Sequence, residues 1–403
     1  MNLIVQKYGG TSLATPDLIK RAAWRVIACK KQGYDVIAVV SAMGNTTDEL
    51  IDLARKITPN PGGRELDMLL SSGERISMAL LSMAINSMGF NAVSLTGSQS
   101  GIITDTVHTK ARIKEIKAQR VLEELAKGKI VIVAGFQGVS LEREITTLGR
   151  GGSDTTAVAL AYALKANVCE ILTDVDGVYT ADPRVVPEAR KLDVISYEEM
   201  LELASSGARV LNSRSVEFAK QHGVVIHVRS SFNDNIGTII KEEDESMEEI
   251  LVRGVTYDTN EAKVTIRGVP DRPGIAAKIF GKLAQANVNV DMIIQNVSDS
   301  GVTDMSFTVP DSELKTALEC GRQLRDEIDF KDIVADEDIA KVSIVGTGMR
   351  THSGVAASMF EALAKNNINI EMISTSEIKI SCVVRRSRAE EAVKALHKAF
   401  ELG

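Results

Sequence analysis

The sequence predicts an α/β protein in two parts, a three-layer αβα domain on a mostly parallel sheet followed by two βαββαβ modules. Three observations predict it. Over residues 1–240, short apolar runs alternate with amphipathic helical stretches, the pattern of a parallel sheet covered by helices on both faces. Residues 241–249 then place six carboxylates in nine positions, a run that reads as a solvated connector. Beyond it, the twenty residues 274–293 return at 354–373 with ten identities and no gap.

The apolar runs at 3–8, 36–41, 92–96, 129–135, 169–173 and 224–228 are the predicted strands of the first part. Helical periodicity covers 17–31, 66–88, 111–127 and 154–165. Glycine-rich segments at 9–12, 41–47 and 135–138 fall just past strand ends, where ligands of such sheets bind, so they should converge on one crevice. The expected organisation is a first domain over 1–240, an acidic linker over 241–250 and a second region over 251–403. Its repeat cores lie at about 263–336 and 341–403, each reading strand, glycine turn, helix, Asn-x-Asn turn, strand, strand, helix.

The chain has 403 residues, 44% of them hydrophobic and 25% charged, with a net charge of −7 and 4% aromatics. That balance argues against binding a nucleic-acid backbone or stacking bases. Any anionic substrate must be met by local donors, because the overall field repels it. Cys29, Cys169, Cys320 and Cys382 form no C-x-x-C pair and the five histidines show no ligand spacing. A reducing, cytoplasmic compartment without a structural zinc is expected. No signal peptide and no uncharged run of membrane length is read.

Residues 149–156, Gly-Arg-Gly-Gly-Ser-Asp-Thr-Thr, run straight into the apolar stretch 157–166. Gly149, Gly151 and Gly152 permit a tight turn that aims N–H groups at an anion. Ser153 or Thr155 is expected to cap the helix that follows. Arg150 offers a planar fork for a carboxylate or phosphate, and Asp154 sets a carboxylate among these donors. Such a mixture fits a site where one group binds an anion and another positions a cation or a catalytic lysine. Lys7, at the end of the first strand beside Tyr8, Gly9 and Gly10, can reach a phosphate as a point charge. No G-x-x-x-x-G-K-[ST] occurs, which excludes a P-loop. Residues 173–184, Thr-Asp-Val-Asp-Gly-Val-Tyr-Thr-Ala-Asp-Pro-Arg, make a long polar loop suited to adenine and ribose, with Arg184 near phosphates. Its D-V-D-G opening mimics a calcium loop but lacks the twelfth-position glutamate. Gly73 interrupts a helical pattern at about 1 kcal/mol relative to alanine, which hints at close approach of another group. Glu74 beside it can then meet a substrate ammonium. Singly, each motif also has a purely structural alternative, such as a loop joining strand to helix or a solvated carboxylate.

Together, Lys7-Tyr-Gly-Gly-Thr-Ser, Ser41-Ala-Met-Gly with Thr46-Thr47-Asp48, Gly135-Phe-Gln-Gly, the 149–156 cluster and the 173–184 loop resemble the aspartate kinase family. Its members carry two ACT modules after an amino acid kinase domain, so the resemblance spans the chain. It implies ATP-dependent phosphorylation of the L-aspartate β-carboxylate, the first step of lysine, threonine and methionine biosynthesis. By position it implies that Lys7 stabilises the transferring phosphoryl group and Asp154 organises the catalytic cations. Thr47, Glu74, Arg150 and Ser153, with the backbone of Gly151 and Gly152, hold aspartate, Glu74 at its ammonium and Arg150 at its α-carboxylate. Tyr8, Gly9, Gly10, Ser41, Thr173, Asp174, Tyr179 and Arg184 line the ATP site, and Mg²⁺ rides on the ATP phosphates with few protein ligands. One departure stands out. The family has a lysine where this chain has Arg209 in Gly-Ala-Arg-Val-Leu, trading a compact second cation for a broad fork.

The same resemblance implies feedback by lysine, threonine or both. The effector loops would be 271–276, with Asp271, Gly274, Ile275, Ala276 and Gln295, and 351–356, with Thr351, Val355, Ser376 and Glu377. It implies a homo-oligomer paired through ACT modules. Some members make a second, shorter subunit from an internal start, and Met247 stands in the corresponding place. Two other readings are an acyl-phosphate kinase acting on glutamate or N-acetylglutamate, and a non-catalytic amino-acid sensor. Neither accounts for Glu74 and Arg150 together with tandem ACT modules.

Overall fold

The computed structural model describes residues 2–208, 210–243, 251–296 and 301–403, and the chain divides into two compact units. The first comprises residues 1–179, 191–205 and 209–248. In chain order it runs β1 (Leu3–Tyr8), α1 (Pro16–Lys31), β2 (Asp35–Val40), α2 (Thr46–Ile57), α3 (Gly63–Ser87), β3 (Ala92–Leu95), β4 (Ile102–Thr104), β5 (Ile113–Ile116), α4 (Gln119–Ala126), β6 (Ile130–Ala134), β7 (Gln137–Ser140), β8 (Ile145–Thr147), α5 (Gly152–Ala163), β9 (Val168–Thr173), β10 (Val194–Ser196), α6 (Tyr197–Ser205), α7 (Ser213–His222), β11 (Ile226–Ser230) and β12 (Thr238–Lys241).

Eight of these strands form one sheet in the order β10-β12-β11-β9-β1-β2-β6-β3. From β11 to β3 every pairing is parallel, and only β12 turns back antiparallel onto β11. The reason is legible in β2 and β6, whose Val-Ile-Ala-Val-Val and Ile-Val-Ile-Val-Ala runs are fully buried and need cover on both faces. Strand β1 is the switch point. The chain builds outward from it through β2 on one side and through β9 on the other, so the loops after these strands open on a common crevice.

Helix α1 starts as its sequence dictates, with Pro16 at the first helical position and the Thr15 hydroxyl accepting the Leu18 N–H at 3.3 Å. The periodicity over 111–127 is only half realised. Residues 113–116 are strand β5, paired antiparallel with β4 in a small second sheet of order β5-β4-β7-β8, and the helix is confined to α4. The Gly101 carbonyl accepts the Lys117 N–H at 2.8 Å, and the Lys117 carbonyl lies 2.0 Å from where a Gly101 Cβ would stand. This glycine closes a hairpin that overrides helix propensity. Helix α3 is long and apolar enough to cross a membrane by length and composition. Its buried Asp67 and Glu74 mark it as a core helix instead.

The second unit comprises residues 180–190, 206–208 and 249–403. Its elements are β13 (Gly254–Asp258), β14 (Glu261–Pro270), α8 (Ile275–Gln285), β15 (Ile293–Gln295), β16 (Val302–Pro310), α9 (Leu314–Gln323), β17 (Asp332–Asp336), β18 (Ile339–Val345), α10 (Val355–Lys365), β19 (Met372–Thr375), β20 (Lys379–Arg385) and α11 (Ala389–Ala399). The repeat in sequence is a repeat in backbone. Gly274 and Gly354 precede their helices at φ 92° and 93°, and Asn287 and Asn367 follow them at 55° and 54°, all left-handed.

The two modules are not simply successive. The first forms a continuous sheet β15-β16-β14-β17, whereas the second, β13-β18-β20-β19, takes its edge strand β13 from before the first. Val255 of β13 is buried in the second module's core beside Val342 and Leu396, and Ala181, Val185 and Val186 of the 180–190 segment join them. Where the modules meet, Met292 and Ile294 pack on Ile339, Met372 and Val383. Lys341 bonds Glu261 at 2.6 Å and also Asp291, while Lys263 bonds Glu371. Lys263 and Lys341 are equivalent positions of the repeat, as are Asp291 and Glu371, so the pairs are reciprocal.

Candidate active site

Strand alternation divides β1. Ile4 and Tyr8 face a core shared with Leu13, Ile19 and Val26, whereas Lys7 faces α5. Its Nζ lies 2.6 Å from Asp154 Oδ1, in the first turn of α5, where the helix dipole favours a negative charge. Gly9 bonds the Leu172 carbonyl at 3.1 Å, and a Cβ on it would stand 3.6 Å from Lys7 Nζ. Gly10 fits because it has no side chain. A Cβ there would stand 2.8 Å from the Gly44 carbonyl and 2.9 Å from that of Ala42, which seats the loop after β1 against the loop after β2.

Ala42 is the residue sequence reading overlooked within Ser41-Ala-Met-Gly. Besides facing Gly10, it donates its N–H to Glu74 Oε1 at 3.1 Å, and its Cβ lies 2.8 Å from where a Gly73 Cβ would be. This is the close approach that Gly73 suggested. Glu74 is buried, its Oε2 has no partner among the described residues, and burial pushes its carboxyl up to about 7. Ser41 and Thr47 are half-buried, Thr47 in the first turn of α2. Behind them Ser153 is buried, and a Cβ on Gly135 would stand 2.8 Å from its Oγ.

The expected cap of α5 is corrected. Gly151, left-handed at φ 73°, is the N-cap, and Ser153 and Thr155 lie inside the helix, with Thr155 Oγ1 bonded back to the Gly151 carbonyl at 3.4 Å. Asn212 occupies the space a Cβ on Gly151 would need, at 2.3 Å, and so selects glycine. Arg150 is exposed, with its carbonyl accepting the Asn212 amide at 3.2 Å, and Arg214 donates to the Leu148 carbonyl at 2.9 Å. Neither tether was anticipated; Asn212 is also the N-cap of α7. Gly152 is buried where a Cβ would meet Leu148 at 2.8 Å.

Around the long polar loop, Thr173 Oγ1 bonds Asp174 at 3.1 Å, and Asp176 accepts the Asn233 and Asn235 amides at 2.7 and 3.1 Å. Those amides hold the Asp176 carboxyl below its ordinary range. An open cleft of about 680 Å³ lies against Asp176, Tyr179, Lys191, Asp193, Asp234 and Asn235. Of these, Tyr179 was expected, and Asp176 as part of the 173–184 loop. The Tyr8 ring is excluded from the crevice by its burial in the core, which leaves only its backbone to reach a ligand. Arg184 belongs to the second unit and forms an ion pair with Asp182 at 2.7 Å. Arg209 and Met247 lie outside the described residues.

In the second unit, Asp271 donates its N–H to the Gly301 carbonyl at 3.0 Å, while Gly274 and Ala276 are exposed and Gln295 is exposed on β15. Thr351 Oγ1 bonds the Gly348 carbonyl at 3.3 Å, and Glu377 faces Arg350 at 3.7 Å beside exposed Ser376. The side chains of Ile275 and Val355 are core residues, so only their backbone can serve a ligand.

A switch-point crevice with a lysine–carboxylate pair, joined to a duplicated regulatory-type module, defines an amino acid kinase with ACT domains. The model of the amino acid kinase family matches residues 2–230, and that of the ACT domain matches 264–320 and 342–400. The aspartokinase of Mycolicibacterium smegmatis is 54% identical over 100% of this chain and 97% of its own. The structure of E. coli aspartokinase III in complex with aspartate and ADP matches with a TM-score of 0.85 and 27% identity, covering 98% of this chain and 99% of that one. The same enzyme with lysine and aspartate gives 0.76 and 26% over 99% and 100%. The chain belongs to the aspartokinases, ATP-dependent kinases.

Proposed function

We propose that this chain transfers the γ-phosphoryl group of ATP to the β-carboxylate of L-aspartate, forming 4-phospho-L-aspartate and ADP. The observation that carries the reading is the 2.6 Å Lys7–Asp154 pair at the sheet's switch point. A β-carboxylate oxygen attacks the γ-phosphorus, the bond to the bridging oxygen breaks, and its electron pair leaves on ADP. Lys7 faces the charge that develops on the phosphoryl oxygens, and Asp154 fixes its ammonium there. Arg150 takes the substrate's α-carboxylate and Glu74 its ammonium, with Thr47, Ser153 and the Gly151–Gly152 backbone completing the pocket. Gly9, Gly10, Ser41, Thr173, Asp174 and Tyr179 serve the nucleotide, with Arg184 and Arg209 as further cations.

Among the described residues no group of three His, Cys, Asp or Glu side chains is arranged to hold a metal ion. Mg²⁺ is proposed to ride chiefly on the ATP phosphates, where it would neutralise phosphate charge. Lysine, threonine or both are the proposed effectors, bound at the 271–276 and 351–356 loops with Gln295, Ser376 and Glu377. The enzyme is placed in the cytoplasm, in amino-acid biosynthesis; its four free cysteines are compatible with a reducing compartment. A homo-oligomer, with or without a shorter chain begun at Met247, completes the proposal. ADP release assayed with aspartate, glutamate and N-acetylglutamate tests it. Turnover should occur with aspartate alone, and Lys7→Met should lower kcat about 100-fold or more. Preference for another acceptor, or no turnover with any, would overturn the reading.

A further inference from the structure

Asp67 stands on α3 two turns before Glu74, is fully buried, and has no part in the reaction above. Its carboxylate gathers three neighbours. Thr147 Oγ1, at the end of β8, donates to it at 2.5 Å. His108 Nδ1 lies at 2.6 Å, and the Thr109 N–H reaches its two oxygens at 3.0 and 3.2 Å. Thr109 needs that hold. Its φ is 65°, a left-handed conformation that a β-branched residue keeps only under constraint. The Thr109 carbonyl lies 3.0 Å from where a Cβ on Gly149 would stand, so the held segment is the floor beneath the residue that leads into Arg150. Beyond Thr147, the Leu148 and Arg150 carbonyls are held by Arg214 and Asn212.

We infer that Asp67 is a positioning residue for the Arg150 loop, acting on aspartate binding through Thr109, Thr147 and Gly149. Its zero exposure keeps it from touching substrate. The inference rests on Arg150 as the partner of the substrate α-carboxylate. Asp67→Asn should raise KM for aspartate about tenfold while KM for ATP stays within about twofold, a split that general destabilisation would not give. In the Arg150→Ala background the same change should add almost nothing, because no fork remains to be positioned. Thr109→Gly, which removes the strain, should bring the Asp67→Asn enzyme back to within about threefold of wild type. Should Asp67→Asn fail to fold, Thr147→Val removes one hydroxyl at constant volume and should raise KM for aspartate about threefold by the same logic. Independent, multiplying effects of Asp67→Asn and Arg150→Ala would overturn the inference, as would equal rises in both KM values. If Arg150→Ala leaves KM for aspartate unchanged, the Arg150 assignment itself fails. If Arg150→Ala raises it while Asp67→Asn and Thr147→Val do not, only the positioning role fails.

Discussion

Glu74 is 2% exposed, with one oxygen on the Ala42 N–H and the other without a partner among the described residues. Burial raises its carboxyl from 4.5 to about 7, against the weaker opposite pull of backbone N–H groups at Glu74 and Ala42. The folded value lies above the unfolded one, so the relative stabilisation is complete below about pH 4.5 and is lost as pH rises through about 7. Above that, the ionised group costs the ligand-free fold about 3 kcal/mol. A substrate ammonium against Glu74 favours the charged form and reverses the penalty. KM for aspartate should therefore fall as pH rises from about 6 to 8. Glu74→Gln should give a higher KM that is flat with pH, and the ligand-free variant should melt above wild type at pH 8. A wild-type KM flat across that range would remove Glu74 from the ammonium site.

At the scale of elements, α5 owes its placement to backbone that only glycine supplies. Gly151 combines φ 73° with Asn212 atoms 2.3 Å from its missing Cβ, so Gly151→Ala adds steric collision to left-handed strain. We expect a loss of about 2–4 kcal/mol in denaturant unfolding and at least a tenfold fall in kcat/KM for aspartate. An alanine variant with wild-type stability would show that the loop can rearrange freely. The glycines at 149–152 were legible because turn chemistry is local, and so were the buried runs of β1, β2, β6 and β9. What could not be read depends on partners distant in sequence. The cap at Gly151 rather than Ser153 is decided by Asn212, some sixty residues on. Strand β5 is decided by pairing with β4. The Asp67–Thr147 bond spans eighty residues and joins an ordinary helix carboxylate to an ordinary strand hydroxyl. Helix α2 has an amphipathic pattern yet buries no residue, and nothing in the described structure explains it.

The second unit has the most to say at the scale of the whole molecule. Lys341, 2% exposed, is bonded to Glu261 and Asp291 across the junction of the two modules. Removing it strands two carboxylates, so Lys341→Ala should cost about 3–5 kcal/mol in unfolding. Replacing all three by apolar residues of similar volume should cost far less, which differential scanning calorimetry can resolve. The reciprocal Lys263–Glu371 pair ties the same junction a second time. The 180–190 segment folds into the same unit, where the Thr180 hydroxyl meets His397 Nε2 and the Leu402 carbonyl at 3.0 Å each. By peptide bonds it continues at one end into Tyr179 and at the other into Lys191, which form a β-bridge in the first unit. The 180–190 segment is thus joined by peptide bonds at both of its ends to the first unit. An effector inhibits only if it prefers one packing, and couplings of about 1–3 kcal/mol correspond to roughly 5–150-fold. Gln295, exposed on the short strand β15 whose Ile294 packs at the module junction, is the proposed effector contact. Gln295→Ala should raise the half-inhibiting concentration of lysine, threonine or their mixture at least about tenfold, with uninhibited kcat within about twofold. Titrating the two amino acids singly and together against both proteins decides it. Wild-type activity indifferent to both, singly and together, would remove feedback from this chain and leave its kinase chemistry standing.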